Sequence, residues 1–306
     1  MKKKILITGS NGLLGQKLIH LLSSQQEVEV IATSKGENRL KKASHTYSYY
    51  SLDVCNKKEV DQLIEFIQPT IIIHTAAMTN VDDCEINQEA CWKLNVEAVQ
   101  HIVNACIQQS IFLIHLSTDF IFDGKEGPYD EQAIPNPLSY YGKSKLEAEK
   151  IIQTSLLKKW AIIRTVLVYG IAEDITKSNI ILWVKKSLEE GRIIQVVDDQ
   201  WRTPTLAEDL AMGCYLIAKK EATGIFNISG KEMLTPYQIA NNVADFFNLD
   251  NNLINRTDST QFKQRAARPP KTGFILTKAI DELNYHPHSF LESLAIIQNQ
   301  LAINIL

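Results

Sequence analysis

The chain has 306 residues, of which 45% are hydrophobic and 22% are charged, and its formal net charge is -3. These values are typical of a folded globular protein, and the length predicts one large domain with an additional lobe. The small net charge gives no electrostatic reason to expect nucleic acid or an anionic membrane as a partner.

Neither the N-terminus nor the cysteines indicate secretion. The apolar run after the N-terminal lysines ends at Thr8, too early for a signal peptide, and no stretch approaches the roughly 20 apolar residues of a membrane span. The five cysteines are odd in number and form no Cys-x-x-Cys pair, which favours reduced thiols over disulfides or a metal site. We therefore predict a cytoplasmic protein that binds no metal.

The first half of the chain alternates short apolar runs with longer amphipathic ones. Strands are predicted at Lys4–Thr8, Val28–Thr33, Thr70–His74, Ile111–Ser117 and Ala161–Thr165. Helices are predicted between them, at Leu13–Ser23, Lys57–Ile67, Gln88–Gln108 and Pro137–Thr154. Strands that alternate with helices predict a parallel sheet with right-handed crossovers. The predicted fold class is therefore α/β, with a doubly wound, Rossmann-like parallel sheet.

The pattern is looser after Gly170. Helices are predicted at Asn179–Glu190 and Leu206–Lys219, and strands at Ile193–Val197 and Gly224–Ile228. The last of these strands could rejoin the main sheet. A further helix begins at Thr235-Pro236, an N-cap residue followed by proline at the first helical position. We predict a main domain of residues 1–170 plus 204–229 and a smaller, mixed C-terminal lobe of residues 171–203 plus 230–306.

A glycine-rich loop, Thr8–Gly15, lies between the first predicted strand and the first predicted helix. Glycine there allows a tight turn, a close backbone approach to a pyrophosphate and close packing of helix on strand. The unpaired N–H groups of the helix start then bind the anion. The spacing alone also fits a plain strand-to-helix turn, but its place in a strand–turn–helix unit favours a dinucleotide site. The predicted cofactor contacts are Gly9, Asn11, Gly12, Leu13, Leu14 and Gly15.

The end of the second strand bears on the choice between NAD and NADP. In NAD-binding units an acidic residue at this place binds the ribose hydroxyls. Here the strand runs into Ser34 and Lys35, with Arg39 four residues later, and no carboxylate is present. Ser34 and Lys35 could receive a 2′-phosphate, although Lys35 and Arg39 could equally be solvated loop charges. The sequence favours NADP, and NAD remains an alternative.

Tyr141 and Lys145 form a Tyr-x-x-x-Lys motif in a predicted helix. Residues at i and i+4 share one helix face, so the ammonium would lower the pKa of the phenol from its free value of about 10. Tyr141 would then be a usable proton donor near neutral pH, and Lys145 could also bind the cofactor ribose. Taken alone, the motif fits an exposed Tyr–Lys helix pair equally well.

Ser117, Thr118 and Asp119 end the strand that precedes this helix. Ligands of an open α/β sheet bind outside the carboxyl ends of the strands. We predict that Thr118, with Ser117 as the alternative, hydrogen-bonds a carbonyl that is being reduced. Asp119 would contact the substrate or orient the site. A plain strand-end turn is the alternative interpretation.

Together these residues resemble the extended short-chain dehydrogenase/reductase family, and most closely its dTDP-4-dehydrorhamnose reductase branch. The resemblance covers nearly the whole chain. Its motifs are Thr8–Gly15, Ser117–Gly124, Tyr141–Lys145, Arg164-Thr165, Val168–Gly170, Asp199-Gln200, Thr203–Thr205 and Arg268-Pro269. It implies catalytic roles for Thr118, Tyr141 and Lys145, and further cofactor contacts at Asp53, Val54, Ala76, Ala77 and Asn95.

The activity implied by the resemblance is transfer of a hydride from NADPH to the keto group of a nucleotide-linked 4-keto-6-deoxy sugar. The main domain would bind the dinucleotide, and the lobe would bind the sugar nucleotide. The resemblance also allows a homodimer. Where this branch places a tryptophan against the sugar, the present chain has Leu167. Trp201 could supply the missing stacking surface, or it could be a buried tryptophan of the lobe.

Three other functions compete with the reductase. The chain also resembles the regulatory beta subunit of methionine adenosyltransferase, which has the same fold, binds NADP and acts through a partner protein. A sugar-nucleotide dehydratase would need an acid directly after the Thr-Asp pair, and Phe120 is there instead. A sugar-nucleotide epimerase is the third alternative. The presence of Thr118, Tyr141 and Lys145 favours an enzyme over a binding module.

Overall fold

The computed structural model describes residues 2–40, 46–174, 179–262 and 264–305. The strands of this part of the chain are β1 Lys3–Thr8, β2 Val28–Ser34, β3 Ser48–Ser51, β4 Ile71–His74, β5 Phe112–Thr118, β6 Trp160–Thr165, β7 Val168–Tyr169, β8 Ile194–Val197, β9 Trp201–Arg202, β10 Thr205–Leu206, β11 Gly224–Asn227, β12 Ile254–Thr257 and β13 Lys271–Thr272.

The helices of the same part of the chain are α1 Leu13–Ser23, α2 Lys57–Ile67, α3 Val81–Ile86, α4 Gln88–Trp92, α5 Ala98–Gln109, α6 Tyr140–Thr154, α7 Ile180–Glu189, α8 Ala207–Lys220, α9 Pro236–Phe247 and α10 Phe290–Ile305. None of the helices in the described ranges combines the length and the apolar character that a membrane span requires.

The centre of the molecule is a seven-stranded parallel sheet in the order β11-β6-β5-β4-β1-β2-β3. The prediction of a doubly wound parallel sheet is confirmed, and so is the prediction that the strand at 224–228 rejoins it. The strand order reverses at β1, which pairs with β2 on one side and with β4 on the other. In such sheets the crevice outside the carboxyl ends of the strands at this reversal is the usual ligand site.

Helices cover both faces of the sheet. Because successive side chains of a strand point to opposite faces, Ile5 and Ile7 of β1 pack towards α1 and α8, and Leu6 packs towards α2 and α5. All three side chains are almost fully buried. Burial on both faces explains why the strands consist of nearly continuous aliphatic residues in the sequence.

The start of α6 differs from the prediction in a way that bears on the site. The helix was predicted from Pro137, but it begins at Tyr140, because Ser139 adopts an extended conformation and caps it. The Ser139 hydroxyl accepts a hydrogen bond from the Gly142 N–H at 3.1 Å. Serine is a preferred N-cap because its oxygen satisfies an otherwise unpaired N–H group. Tyr141 therefore lies in the first turn of the helix.

Two regions have more structure than the sequence predicted. The long helix predicted at Gln88–Gln108 is divided into α4, a π-helical turn at Lys93–Glu97 and α5. The edge strand β3 and the short helix α3 were not predicted. An edge strand of four half-exposed residues lacks the apolar run that identifies the central strands.

The lobe has its own core, formed by apolar residues of α7, α9, α10, β8 and β12. Not all of the C-terminal segment belongs to it. Phe274, Leu276, Leu283 and Tyr285 pack into the main core beside α1 and α8. This differs from the prediction that residues 230–306 belong wholly to the lobe.

The ion pair between Arg164 on β6 and Glu149 on α6 provides a first prediction about stability. The pair is bidentate, with N–O distances of 3.1 and 2.8 Å, and the two side chains are 3% and 0% exposed. We expect Glu149→Leu to lower the free energy of unfolding by about 3–5 kcal/mol, because it leaves the Arg164 cation buried without its partner. Urea unfolding measures this loss.

The control is the double variant Glu149→Leu/Arg164→Met, which removes both charges. It should be less destabilised than Glu149→Leu alone, because no unpaired charge then stays buried. A double variant at least as unstable as the single one would contradict this account of the pair.

Gly15 provides a second prediction about stability. A Cβ atom at this position would lie 2.5 Å from the Gly9 carbonyl oxygen and 2.6 Å from the Ser10 Cα atom. Both are backbone atoms that cannot rotate away, so we expect Gly15→Ala to cost about 1–3 kcal/mol. At Gly12 the nearest atom would be 3.2 Å away, so Gly12→Ala is the matched control with a smaller loss. Equal losses in thermal unfolding would contradict the close packing.

Candidate functional site

The glycine loop runs from the end of β1 to the start of α1 and lies against the end of β4. A Cβ atom at Gly9, which has a φ of +68°, would lie 2.7 Å from the Ala76 backbone nitrogen. Only glycine combines this conformation with such a close approach. Gly12 caps α1 and has no side chain, which leaves the N–H groups of the first turn for an anion. The loop therefore fits a dinucleotide pyrophosphate.

The other predicted residues of this loop contact the protein around it, and their contacts with a cofactor stay predictions. Asn11 is buried, and its amide donates to the Glu37 carbonyl at 2.8 Å and accepts from the Arg39 N–H at 2.9 Å. It thereby fixes the segment after β2 against the loop. Leu14 packs on the main core, and the Leu13 side chain lies near Gly170.

The predicted 2′-phosphate residues lie at the ends of β2 and β3. Ser34 is half-buried, and the exposed Lys35 ammonium pairs with the Asp53 carboxylate at 2.7 Å. This pairing lowers the pKa of Asp53 and raises the pKa of Lys35. The sequence had suggested that no carboxylate lies here, but β3 brings one from 18 residues further along the chain. Lys35 and Asp53, the predicted adenine contact, therefore belong to one corner of the crevice.

The remaining predicted cofactor residues surround the end of β4. Ala76 and Ala77 are partly exposed, and Val54 is buried. Asn95 is only 1% exposed, and its amide bonds with the Met78 backbone N–H and carbonyl and with the Ser144 hydroxyl. These hydrogen bonds hold Asn95 against the segment that follows β4. Its contact with a cofactor stays a prediction.

The predicted catalytic residues come together at the carboxyl end of β5. Tyr141 and Lys145 lie on one face of α6 and are 8% and 3% exposed. Thr118 lies near the Tyr141 hydroxyl, whose pKa it lowers, and its own hydroxyl donates to the Asp119 carboxylate at 3.1 Å. Ser117, the alternative to Thr118, is also buried, and its hydroxyl has no partner among the described residues.

The pKa of Tyr141 corrects one expectation. Burial raises it above 10, and the neighbouring Thr118 hydroxyl offsets only part of that rise. The predicted net lowering of this pKa is therefore wrong, because burial outweighs the favourable effects of neighbouring groups. Burial also disfavours the ammonium and lowers the pKa of Lys145 to about 8. Tyr141 is consequently protonated at neutral pH, the state that a proton donor needs.

Two histidines behind Lys145 were missed by the sequence analysis. The Lys145 ammonium lies 3.2 Å from His115 Nε2, and His74 Nδ1 lies 2.7 Å from the Thr8 hydroxyl. Both rings are buried, which lowers the pKa of His74 to about 3 and the pKa of His115 well below 6.5. The signal in the sequence is a histidine near the carboxyl end of each of two otherwise apolar strands.

Asp119 connects the site to the lobe. Its carboxylate accepts from the Thr272 hydroxyl at 2.5 Å and lies 3.7 Å from the Arg202 guanidinium. Asp119 is 2% exposed, which favours the predicted orienting role over the predicted substrate contact, and both roles stay predictions. Burial raises its pKa, and Arg202 acts in the opposite direction. Arg202 and Thr272 were not predicted, because they are far from Asp119 in the sequence.

Trp201 and a cleft in the lobe complete the surroundings. Trp201 is 36% exposed, so the alternative of a buried lobe tryptophan is wrong. The cleft has a volume of about 410 Å³, and Trp183, Val197, Pro236 and Phe262 are among its lining residues. Within the described ranges, no group of three or more His, Cys, Asp or Glu side chains is placed to bind a metal ion.

The sequence matches the family described as RmlD substrate binding domain over residues 2–303. It is 31% identical over 307 residues to a dTDP-4-dehydrorhamnose reductase of Aggregatibacter actinomycetemcomitans, which covers 96% of this chain and 98% of that protein. It is 32% identical over 252 residues to methionine adenosyltransferase 2 subunit beta of Bos taurus, which covers 81% of this chain and 73% of that protein.

A solved structure resembles the whole molecule. The dTDP-4-dehydrorhamnose reductase of Bacillus anthracis, in complex with NADP, superposes with a TM-score of 0.82 at 27% identity. The similarity covers 98% of this chain and 100% of that one. Because the family match spans both the sheet and the lobe, the chain belongs to the RmlD substrate binding domain family, as its resemblance to the extended short-chain dehydrogenases/reductases predicted.

Proposed function

We propose that this protein reduces the keto group of a nucleotide-linked 4-keto-6-deoxy sugar with NADPH. The observation that carries the proposal is the buried group of Thr118, Tyr141 and Lys145, in which Lys145 lies one helical turn from Tyr141. Thr118 ends β5, which is the direct neighbour of β4 in the sheet. The end of β4 contacts the glycine loop. The similarity to dTDP-4-dehydrorhamnose reductases supports the same substrate class.

Each residue of the group has a definable task in such a reduction. The nicotinamide cofactor, when bound, supplies the hydride. Thr118 is placed to hydrogen-bond the carbonyl oxygen of the sugar, and Tyr141 donates a proton to that oxygen. The phenolate left on Tyr141 is a buried anion, so the nearby Lys145 ammonium stabilises it more than it would in water.

We propose that residues 1–170 plus 204–229 bind the dinucleotide and that the lobe binds the sugar nucleotide. The lobe cleft supports this assignment because Trp183 and Phe262, both 39% exposed, offer apolar faces to a planar base. Trp201 precedes Arg202, whose guanidinium lies 3.7 Å from the Asp119 carboxylate. The same carboxylate accepts a hydrogen bond from Thr118. We infer that Trp201 contacts the sugar nucleotide on that side.

A regulatory role is the second candidate, and the similarity to methionine adenosyltransferase 2 subunit beta favours it. A regulator would bind NADPH and a methionine adenosyltransferase but would turn over no sugar nucleotide. NADPH oxidation with a panel of nucleotide-linked 4-keto-6-deoxy sugars, together with a pull-down of a methionine adenosyltransferase, separates the two functions. Tight NADPH binding without turnover of any sugar in the panel would contradict the proposed reductase.

Tyr141→Phe tests the proton donor. We expect turnover to fall by about 10²–10⁴-fold, the usual contribution of a positioned acid, because the variant lacks the proton that the sugar oxygen takes up. NADPH binding should survive. Tyr140→Phe is the matched control on the same helix, since Tyr140 contacts Trp92 outside the catalytic group. Unchanged turnover in Tyr141→Phe would contradict the assigned roles.

Lys35→Ala tests the preference for NADPH. If Lys35 leaves Asp53 to bind a 2′-phosphate, its loss should raise the KM for NADPH by about 10-fold, the value of one charged hydrogen bond. The KM for NADH should not change. Arg39→Ala is the control, because it removes the other nearby cation. A strong preference of the wild-type protein for NADH, or equal effects on both cofactors, would refute the assignment.

A further inference from the structure

His74 and His115 form a buried pair beneath the catalytic group. They occupy paired positions on the neighbouring strands β4 and β5, and each is 1% exposed. Their rings stack with a centroid distance of 5.5 Å and an angle of 21°. Two imidazoles in a core of aliphatic side chains are costly to bury, so their placement requires a physical reason.

The hydrogen bonds of the pair run in opposite directions. His115 Nε2 faces the Lys145 ammonium at 3.2 Å, and His74 Nδ1 faces the Thr8 hydroxyl at 2.7 Å. The two remaining ring nitrogens, His115 Nδ1 and His74 Nε2, have no hydrogen-bond partner among the described residues. The pair is therefore held at its two ends, by α6 and by the strand that leads into the glycine loop.

The chemistry of Lys145 fixes the state of His115. An ammonium has three donors and no acceptor, so His115 Nε2 has to accept the hydrogen bond. A neutral imidazole that accepts at Nε2 carries its proton at Nδ1. A protonated His115 would place a second cation 3.2 Å from the first in a region without water, which is strongly unfavourable.

We propose that His115 is a positioning residue for the reduction, whose neutral imidazole accepts a hydrogen bond from Lys145 and holds that ammonium near Tyr141. The inference rests on the proposed function, in which Lys145 stabilises the Tyr141 phenolate. His74, anchored on Thr8, keeps the His115 ring in place from behind. Without His115, the buried Lys145 ammonium would lose the hydrogen-bond acceptor that lies 3.2 Å from it.

The other groups around Lys145 do not take over this task. Glu149, one helical turn further along α6, is engaged by two of the three side-chain nitrogens of Arg164. The Cys91 thiol accepts a hydrogen bond from Asn95 and contacts the Ser144 hydroxyl. Glu149 and Cys91 raise the pKa of Lys145, whereas burial lowers it to about 8. Tyr141 faces the same space from the preceding turn, and His74 lies behind His115.

The test compares variants that keep or remove the acceptor. His115→Gln places an amide oxygen near the position of Nε2, His115→Leu removes the acceptor at similar volume, and His115→Asn withdraws the acceptor towards its own strand. The exposed His286, which contacts Asn284, provides the control His286→Leu. NMR of protein labelled at the lysine Cε carbons follows the titration of Lys145, and kinetics give kcat and KM as functions of pH.

Removal of the acceptor should disfavour the charged form of Lys145. We expect its titration midpoint to fall by about one unit in His115→Leu, and the alkaline limb of kcat to move to lower pH by the same amount. At pH 8 this shift reduces kcat about fivefold, while the KM for the sugar nucleotide stays unchanged. His115→Gln should restore both values, and His286→Leu should match the wild-type protein.

Several results would overturn the proposal. One is an unchanged Lys145 titration in folded His115→Leu, and another is equal behaviour of the Gln and Leu variants. If His115→Leu does not fold, the comparison of His115→Gln with His115→Asn decides in the same way. A proton found at Nε2 of His115 in the wild-type protein would also refute it. The titration needs no turnover, so an inactive wild-type protein refutes the proposed function and leaves His115 to be decided by NMR.

Discussion

The Lys145 ammonium lies where water does not reach it, and its burial constrains every group near it. Desolvation lowers the pKa of Lys145 to about 8 and raises the pKa of Tyr141, so both groups are pushed towards their neutral forms. A proton donor of this kind works when the cation persists beside the phenolate that forms. His115 accepts the hydrogen bond from the Lys145 ammonium as a neutral group. A carboxylate paired directly with Lys145 would instead offset the positive charge that stabilises the Tyr141 phenolate in the proposed reaction.

The same site also depends on segments that are distant in the sequence. The Asp119 carboxylate accepts a hydrogen bond from the Thr272 hydroxyl and faces the Arg202 guanidinium. The Arg268 guanidinium pairs with Asp82 on α3 at 2.7 Å. These contacts connect Arg202, Arg268 and Thr272 to residues at the carboxyl edge of the sheet. In the proposed function, a lobe held in this way would position the substrate against Thr118 without any catalytic residue of its own.

Relatives of this chain include a dTDP-4-dehydrorhamnose reductase and a subunit of methionine adenosyltransferase, so the residues on the proposed substrate side bear on its specific role. Leu167, which replaces the tryptophan of the reductase branch, has a φ of +38°. A leucine in this region costs about 1–3 kcal/mol and is often retained for function. It is 37% exposed. The exposed Trp201 offers an aromatic surface from the lobe instead.

The sequence by itself determined the doubly wound sheet, the glycine loop and the group of Thr118, Tyr141 and Lys145, because each follows from local patterns: apolar runs, glycine spacing and an i, i+4 pair. It did not reveal β3 or the partner of Lys35, because an edge strand has no strong apolar signal. Nor did it reveal the rise in the pKa of Tyr141, the contacts of Asp119 with Arg202 and Thr272, or the histidines beneath Lys145. These features depend on burial and on contacts between segments up to 153 residues apart, which only the tertiary structure decided.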